Sequence, residues 1–510
     1  MRTFPKTLAI ASLLAATPAF ASDQASSNDP AGERVGAEYM VFDTGMQGEA
    51  HEQFLRGLAL LHNFEYARAA AAFRESQEAD PDFAMAYWGD AMTHNHPLWE
   101  EQDRDAARAI LTRLAPTREA RMAKTRSPRE AAWLDAVETL YGEDGTKEER
   151  DHLYLAKMRA LLAADPGDID ARAFTGLAIL GTSHGGRQVP LYMQAAGMLE
   201  PGFMTHEMHP GILHYLIHSY DDPVHAPLGE RMAERYAVVA PDAGHAQHMI
   251  SHIYHALADW EASEQANVLA DAVVDRQRAA RGQGPNDCGH YNEWLVYARL
   301  QQGKDASDIV SRCRMQAEAQ IAAGASDRFG FGPSSSYAVI ATWQGVDTGN
   351  WPEALPVSDD GYVLARLMLA HGRALEAFAD RTPIAPALAD MKALGEDYAV
   401  LLPQIAPDDR TSIPWLERAI AQVEALEVLA AGDTERGLAM LEAGAQAEAA
   451  LPVAFGPPMI AKPSYELLGE QLLALGRHEE AAEAFRKSLA FAPGRLLSRE
   501  GLTQAGSGGG

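Results

Sequence analysis

Cysteine is nearly absent: Cys288 and Cys313 are the only two in 510 residues. Two thiols are too few for thiolate metal sites or for haem attachment. They fall near the start of one predicted helix and late in the next, antiparallel one. In an oxidising compartment they either pair as a single staple or stay as two buried free thiols. Basic charge is also short, with 43 Lys and Arg against 71 Asp and Glu, a net charge of -28. Such a field repels phosphate backbones and anionic lipid heads, which argues against nucleic acid as a partner. Its other consequence is solubility. Past the first 21 residues no apolar run is long enough for a membrane helix, so no membrane span is expected. Long β-branched runs are scarce, and the wealth of Ala, Leu, Glu and Arg favours helix.

Familiar catalytic motifs are missing as well. His206-Glu207-Met208-His209 has the wrong spacing for a helix-borne zinc-protease pair. There is no G-x-S-x-G elbow, Walker loop or Rossmann glycine pattern. Any catalysis must therefore use histidines, carboxylates or a metal.

Residues 1–21 read as a leader. Arg2 and Lys6 form its basic start, Leu8 to Ala16 its apolar middle, and Ala19-Phe20-Ala21 an A-x-A cleavage site. The mature chain is expected to begin near Ser22, in the periplasm or outside the cell. A polar, flexible segment is expected over residues 22–45, a repeat array over 46–500 and a flexible tail over 501–510. Loops interrupt the array at Arg281–Asp287 and Ala406–Ser412.

The array announces itself by self-similarity. Ala69, Phe73 and Pro81 follow Gly57 at offsets 12, 16 and 24, and Ala481, Phe485 and Pro493 follow Gly469 at the same offsets. These are the two small positions, the aromatic and the helix-stopping proline of a tetratricopeptide repeat (TPR). Weaker copies carry a helix-to-helix turn at Gly303, Gly349 and Gly432. One hairpin cannot bury its apolar face alone, so the prediction is an all-α TPR solenoid.

Histidine is where the sequence becomes unusual. Nine of the 18 histidines lie between His206 and His255. His245, His248, His252 and His255 are spaced 3, 4 and 3 residues apart. That spacing confines them to about 80° of one helix face. In the repeat frame this is the concave, ligand-facing side of a first helix. His214 precedes His248, and His218 precedes His252, by 34 residues each, the length of one repeat. Two adjacent helices thus present matching i, i+4 pairs to one groove.

Imidazoles suit copper, zinc, iron or nickel. The candidate metal ligands are His214, His218, His248 and His252. Further candidates are His209, His245, His255, His290, Glu293 and Asp221, the two acids as ligands, as acceptors that fix a histidine tautomer, or as plain solvated groups. His206 lies in the preceding loop, and His94, His96 and His184 fall in turns or helix ends, where each alone reads as structural. Met204, Met208 and Met249 are soft donors for Cu(I) or, more simply, packing residues. A groove for a peptide or small organic ligand, and a polar structural network, are the competing readings.

HPGILHYLIHSYDDP and HAQHMISHIYHALADWEASEQAN, with the opening FLRGLALLHNFEYARAAAAF, resemble a family of exported bacterial TPR proteins. The family usually has His-Met-Pro-Ser-His-Ile where Ile250 here replaces the proline. A proline there would fall within the first turns of the helix, so its loss leaves the site intact. The resemblance implies TPR architecture and export but no activity. The sequence alone therefore points to a periplasmic TPR protein holding a transition metal, as an enzyme, store or sensor. The alternative is a non-enzymatic scaffold for a protein partner in the cell envelope.

Overall fold

The structure is a computed structural model that describes residues 33–325, 332–353, 355, 363–405, 409–452 and 456–507. The leader at 1–21 lies outside the described residues. Among the described residues there are 23 α-helices and one two-residue strand pair, Asn95–His96 against Glu101–Gln102. Antiparallel helix pairs stack into the all-α TPR solenoid that the repeats predict. No helix among the described residues is long and apolar enough to cross a membrane.

Close approach explains the repeat residues. Phe73, fully buried on the Tyr66–Ala79 helix, lies between Gly57 and Gly89 on the helices before and after it. A Cβ would come within 2.8 Å of the ring at Gly57 and 2.3 Å at Gly89. Phe485 sits in the same way between Gly469 and Gly501, at 2.8 and 2.3 Å. Glycine inside a helix costs about 1 kcal/mol relative to alanine. Here that cost is offset by seating a whole aromatic ring, with roughly 1.5–3 kcal/mol of burial. The Tyr66–Ala79 and His478–Phe491 helices end just before Pro81 and Pro493, which cannot continue them.

The turns inside the hairpins need a left-handed residue. Gly303, Gly349 and Gly432 supply it with φ of 67°, 72° and 87°, as their place in the sequence implies. Gly476, seven residues after Gly469, does the same at 74°. Phe64 stands seven residues after Gly57 and is forced to φ 56°.

Two boundaries differ from expectation. Val35, Met40 and Phe42, expected in a flexible segment, are buried. Phe42 packs on Phe54 and Trp133 at 5.2 and 5.3 Å, so this stretch closes the open end of the first hairpin. Residues 501–507, expected in the tail, complete the helix Leu496–Ser507. Gly501 must lie against Phe485, which holds that helix in place. Cys288 and Cys313 form a disulfide between the start of the His290–Gln301 helix and the middle of Ser307–Ala322.

Both ends of the solenoid return to its middle. Buried Arg495 pairs with Glu466 at 2.8 Å and Asp347 at 2.6 Å, and the Leu496 amide donates to Gln301. Trp260 Nε1 donates to the Gly494 carbonyl. At the other end, the first hairpin docks on the Pro210–Tyr220 helix and covers the groove there.

Two outcomes are expected. Phe73→Ala and Phe485→Ala should each lower stability by about 3–5 kcal/mol in chemical denaturation, as buried Phe truncations do. His371 is buried and donates from Nε2 to Gln422 at 2.8 Å. Burial pushes its pKa down to about 4, against the opposing Gln422 contact. The unfolded chain takes up this proton near pH 6.5, the folded chain only near pH 4. Its contribution is therefore intact above pH 6.5 and is lost as pH falls toward 4. The urea midpoint should drop across that interval, and less steeply in His371→Gln.

Candidate metal centre

The paired histidines sit on two successive first helices, Pro210–Tyr220 and Gly244–Ala256, and His290 begins the next, His290–Gln301. The sequence places them in an open groove, but the structure buries them. His214 and His248 are fully buried, and His218 and His252 are 4% and 6% exposed. The covering comes from far away in sequence. Phe64, in its left-handed turn, lays its ring 4.3 Å from His214, 5.6 Å from His245 and 5.9 Å from His218. Trp294 closes the other side, stacked at 4.3 Å on His252 and edge-on at 4.9 Å to His248.

Phe64 can reach the centre because Gly211 lets its hairpin come close. A Cβ at Gly211 would lie 2.3 Å from the His62 ring. A non-glycine residue in the left-handed region costs of order 1–2 kcal/mol. Strain of this kind persists where surrounding contacts hold it.

The hydrogen bonds decide which ring nitrogens face inward. His214 Nδ1 lies 2.6 Å from the His62 carbonyl, which can only accept, so Nδ1 carries the proton. His248 Nδ1 meets Asn267 Oδ1 at 2.8 Å. Asn267 Nδ2 donates to the Ser263 carbonyl at 2.9 Å, which fixes the amide and makes His248 Nδ1 the donor. His252 Nδ1 donates to Asp221 Oδ2 at 3.0 Å, and His218 Nδ1 approaches the same oxygen at 3.7 Å. Each of the four predicted histidines thus turns Nδ1 toward an acceptor. The Nε2 atoms of His214, His218 and His245 are buried with no hydrogen-bond partner.

Charge supports this arrangement. Burial alone would raise the Asp221 pKa, but the Arg187 guanidinium and the hydrogen bonds from His218 and His252 hold it well below the usual carboxylate range. Arg187 pairs with Asp221 and, at 3.2 Å, with Asp222. Burial, reinforced by neighbouring imidazoles, lowers the pKa of His214, His218, His245 and His248. The rings are thus held neutral, the form that binds metal.

Ring nitrogens of His214, His218 and His245 lie within 4.8 Å of one another. A second group at that spacing joins His218 and His252 to Asp221. His248 belongs to neither; its Nε2 is 3.2 Å from His252 Nε2. The four first-choice ligands therefore do not fall in one group, and His245 completes the all-histidine one.

The remaining candidates are more scattered. His290 has its ring 4.7 Å from His248 but is largely exposed, and Glu293 approaches His290 at 3.9 Å. Burial pushes the Glu293 pKa up to about 7 against a Ser336 hydrogen bond. His255 stacks on Tyr297 at 5.4 Å and faces a neighbouring cavity. That cavity, of about 100 Å³, also borders Asp221, Trp260, Trp415, Tyr465 and Phe491.

His209 belongs to a separate buried group with His62 and Asp170. Its Nδ1 accepts from the Ile212 amide, so its Nε2 carries the proton given to Asp170 at 3.2 Å. That group reads as a helix cap and tether. His206 is engaged with Thr205, His96 with Glu101 and His184 with Asp151, away from the centre. Met249 is buried and Met204 is 75% exposed.

No curated protein matches the chain. Similar solved structures include the APC/C hetero-tetramer Cut9-Hcn1, at 12% identity over 91% of this chain and 77% of that one, with TM-score 0.36. Another is the TPR domain of P58(IPK), at 12% identity over 90% of this chain and 98% of that one, with TM-score 0.21. Residues 463–495, the hairpin built on Gly469 and Phe485, match the tetratricopeptide repeat family, in keeping with the all-α TPR solenoid described above.

Proposed function

We propose that this TPR solenoid binds a transition-metal ion, copper, zinc or iron, through the Nε2 atoms of His214, His218 and His245. One observation carries the reading: the Nε2 atoms of His214, His218 and His245 are buried with no hydrogen-bond partner, and ring nitrogens of the three lie within 4.8 Å of one another. Metal-bound histidines almost always have their second nitrogen tied, as His214 Nδ1 is by the His62 carbonyl. Three neutral imidazoles leave a coordination position open, and an ion held so supplies Lewis acidity or an activated water. Around it, His62 and Asp221 orient rings, while Phe64 and Trp294 exclude water. The A-x-A leader and the Cys288–Cys313 disulfide support placement in the periplasm or outside the cell.

The TPR architecture is that of a protein-interaction scaffold. The cavity beside the centre favours a second reading on that basis. Its aromatic walls, Trp260, Trp415, Tyr465 and Phe491, suit a peptide side chain or small organic ligand rather than an ion.

Elemental analysis of the purified mature protein separates the two. The metal reading expects at least one equivalent of Cu, Zn or Fe, its absence from a folded His214→Ala/His245→Ala variant, and a melting temperature that falls when chelator strips the wild type. An ion at one hundred times its Kd adds about 2.7 kcal/mol of stability. No metal after loading, and no response to chelator, would leave the scaffold reading in possession of the groove.

A further inference from the structure

We infer that the cavity beside the histidine centre receives a small organic ligand carrying an ammonium group, held between its aromatic walls and the Glu448 carboxylate. The inference rests on the reading of this cavity as a ligand pocket and does not need the metal.

The pocket exists because the solenoid closes on itself. Trp260 and Tyr297 reach it from the middle helices Trp260–Ala280 and His290–Gln301. Trp415, Glu448, Tyr465 and Phe491 reach it from four different helices of the C-terminal repeats. The Trp260 Nε1 bond to the Gly494 carbonyl, at 3.2 Å, pins the two sides together and ties the indole by its edge. Half-exposed Phe491 and Met459, both in the lining, mark the opening to solvent. An apolar cavity of about 150 Å³ takes a benzene-sized molecule. This one, at about 100 Å³ with an open mouth, has room for an alkylammonium head group.

Charge selects among the ligands that such walls accept. Aromatic faces attract cations, and two of these rings already do so: Lys487 Nζ lies 5.5 Å from the Tyr465 ring and the Arg495 guanidinium 6.0 Å from that of Tyr297. Among the described residues no lysine or arginine lines the cavity, whereas Asp221 and Glu448 do. Asp221 is matched by Arg187. Glu448 has no cationic partner among the described residues; it accepts from the Ser464 amide at 3.0 Å. The cations on the adjoining segments are matched elsewhere, Lys462 by Glu466 and Glu470, and Arg495 by Glu466 and Asp347. Glu448 also stands one residue from the end of the Thr434–Ala449 helix, where the backbone carbonyls add negative potential and disfavour an anion. Burial pushes its pKa up, against the Ser464 hydrogen bonds. An ammonium group in the cavity relieves both penalties. A neutral ligand would leave the carboxylate unpaired, and an anion would be repelled by it. The net charge of -28 draws cations toward the mouth.

Calorimetric titration of the full mature chain tests this with three probes. They are choline, its uncharged isostere neohexanol, in which tert-butyl replaces trimethylammonium, and acetyl-lysine amide. Choline should bind saturably, and neohexanol about tenfold more weakly, the scale of a desolvated cation–π contact. Glu448→Gln, which keeps the side chain's shape, should weaken choline by about tenfold and leave neohexanol unchanged. Trp415→Ala should weaken both, which locates the site in this cavity. Acetyl-lysine amide binding as tightly as choline assigns the ammonium to a peptide side chain, and choline alone assigns it to a free small molecule; either result supports the inference. Equal binding of choline and neohexanol, or choline binding indifferent to Glu448→Gln, overturns the ammonium while leaving the ligand pocket standing. No binding of any probe overturns both. If Glu448→Gln does not fold, the wild-type ratio of choline to neohexanol affinity decides.

Discussion

The centre depends on one contact, the docking of His62 against Gly211. Without a Cβ at 211 the first hairpin lies flat on the Pro210–Tyr220 helix. That contact brings the His62 carbonyl to His214 Nδ1 and the His62 ring to the Tyr215 hydroxyl, 2.9 Å away. It also swings Phe64 over three histidines. Orientation of the ligands and exclusion of water thus come from the same interaction. A larger residue at 211 would disturb both together.

Burial shapes the chemistry. A row of neutral imidazoles is costly to leave without partners, since an unpaired buried polar group costs about 1–3 kcal/mol. Three such Nε2 atoms belong to rings whose nitrogens lie within 4.8 Å of one another. Two other buried histidines have both their roles filled: His209 caps a helix and holds Asp170, and His371 donates to Gln422. What sets the centre apart is that three histidines with an unpartnered Nε2 also have ring nitrogens within 4.8 Å of one another.

Much of this was legible in the sequence. The Gly-Phe-Pro spacing predicted the hairpins, and the 34-residue register brought His214 and His218 beside His248 and His252. Asp221 was within view because it follows His218 by three residues. The covering elements were not. His62 and Phe64 lie about 150 residues before the helix they cover, and no local pattern reports a contact of that span. Asn267 looks like an ordinary helix residue until its partner is known. One signal was available for Phe64. It occupies the turn position where the matching repeat has Gly476, and an aromatic residue held in a glycine position points to a role beyond the turn. The buried stretch Val35–Phe42 escaped for a different reason: the polar residues before it extend the look of a flexible leader.

Anomalous diffraction from crystals of the metal-loaded protein, collected at the absorption edge of the ion found in it, tests the central claim most directly. The account predicts density within coordination distance of the Nε2 atoms of His214, His218 and His245, beneath the Phe64 ring. A fully loaded crystal with no anomalous peak among these histidines, or with its ions only on exposed side chains, would contradict it.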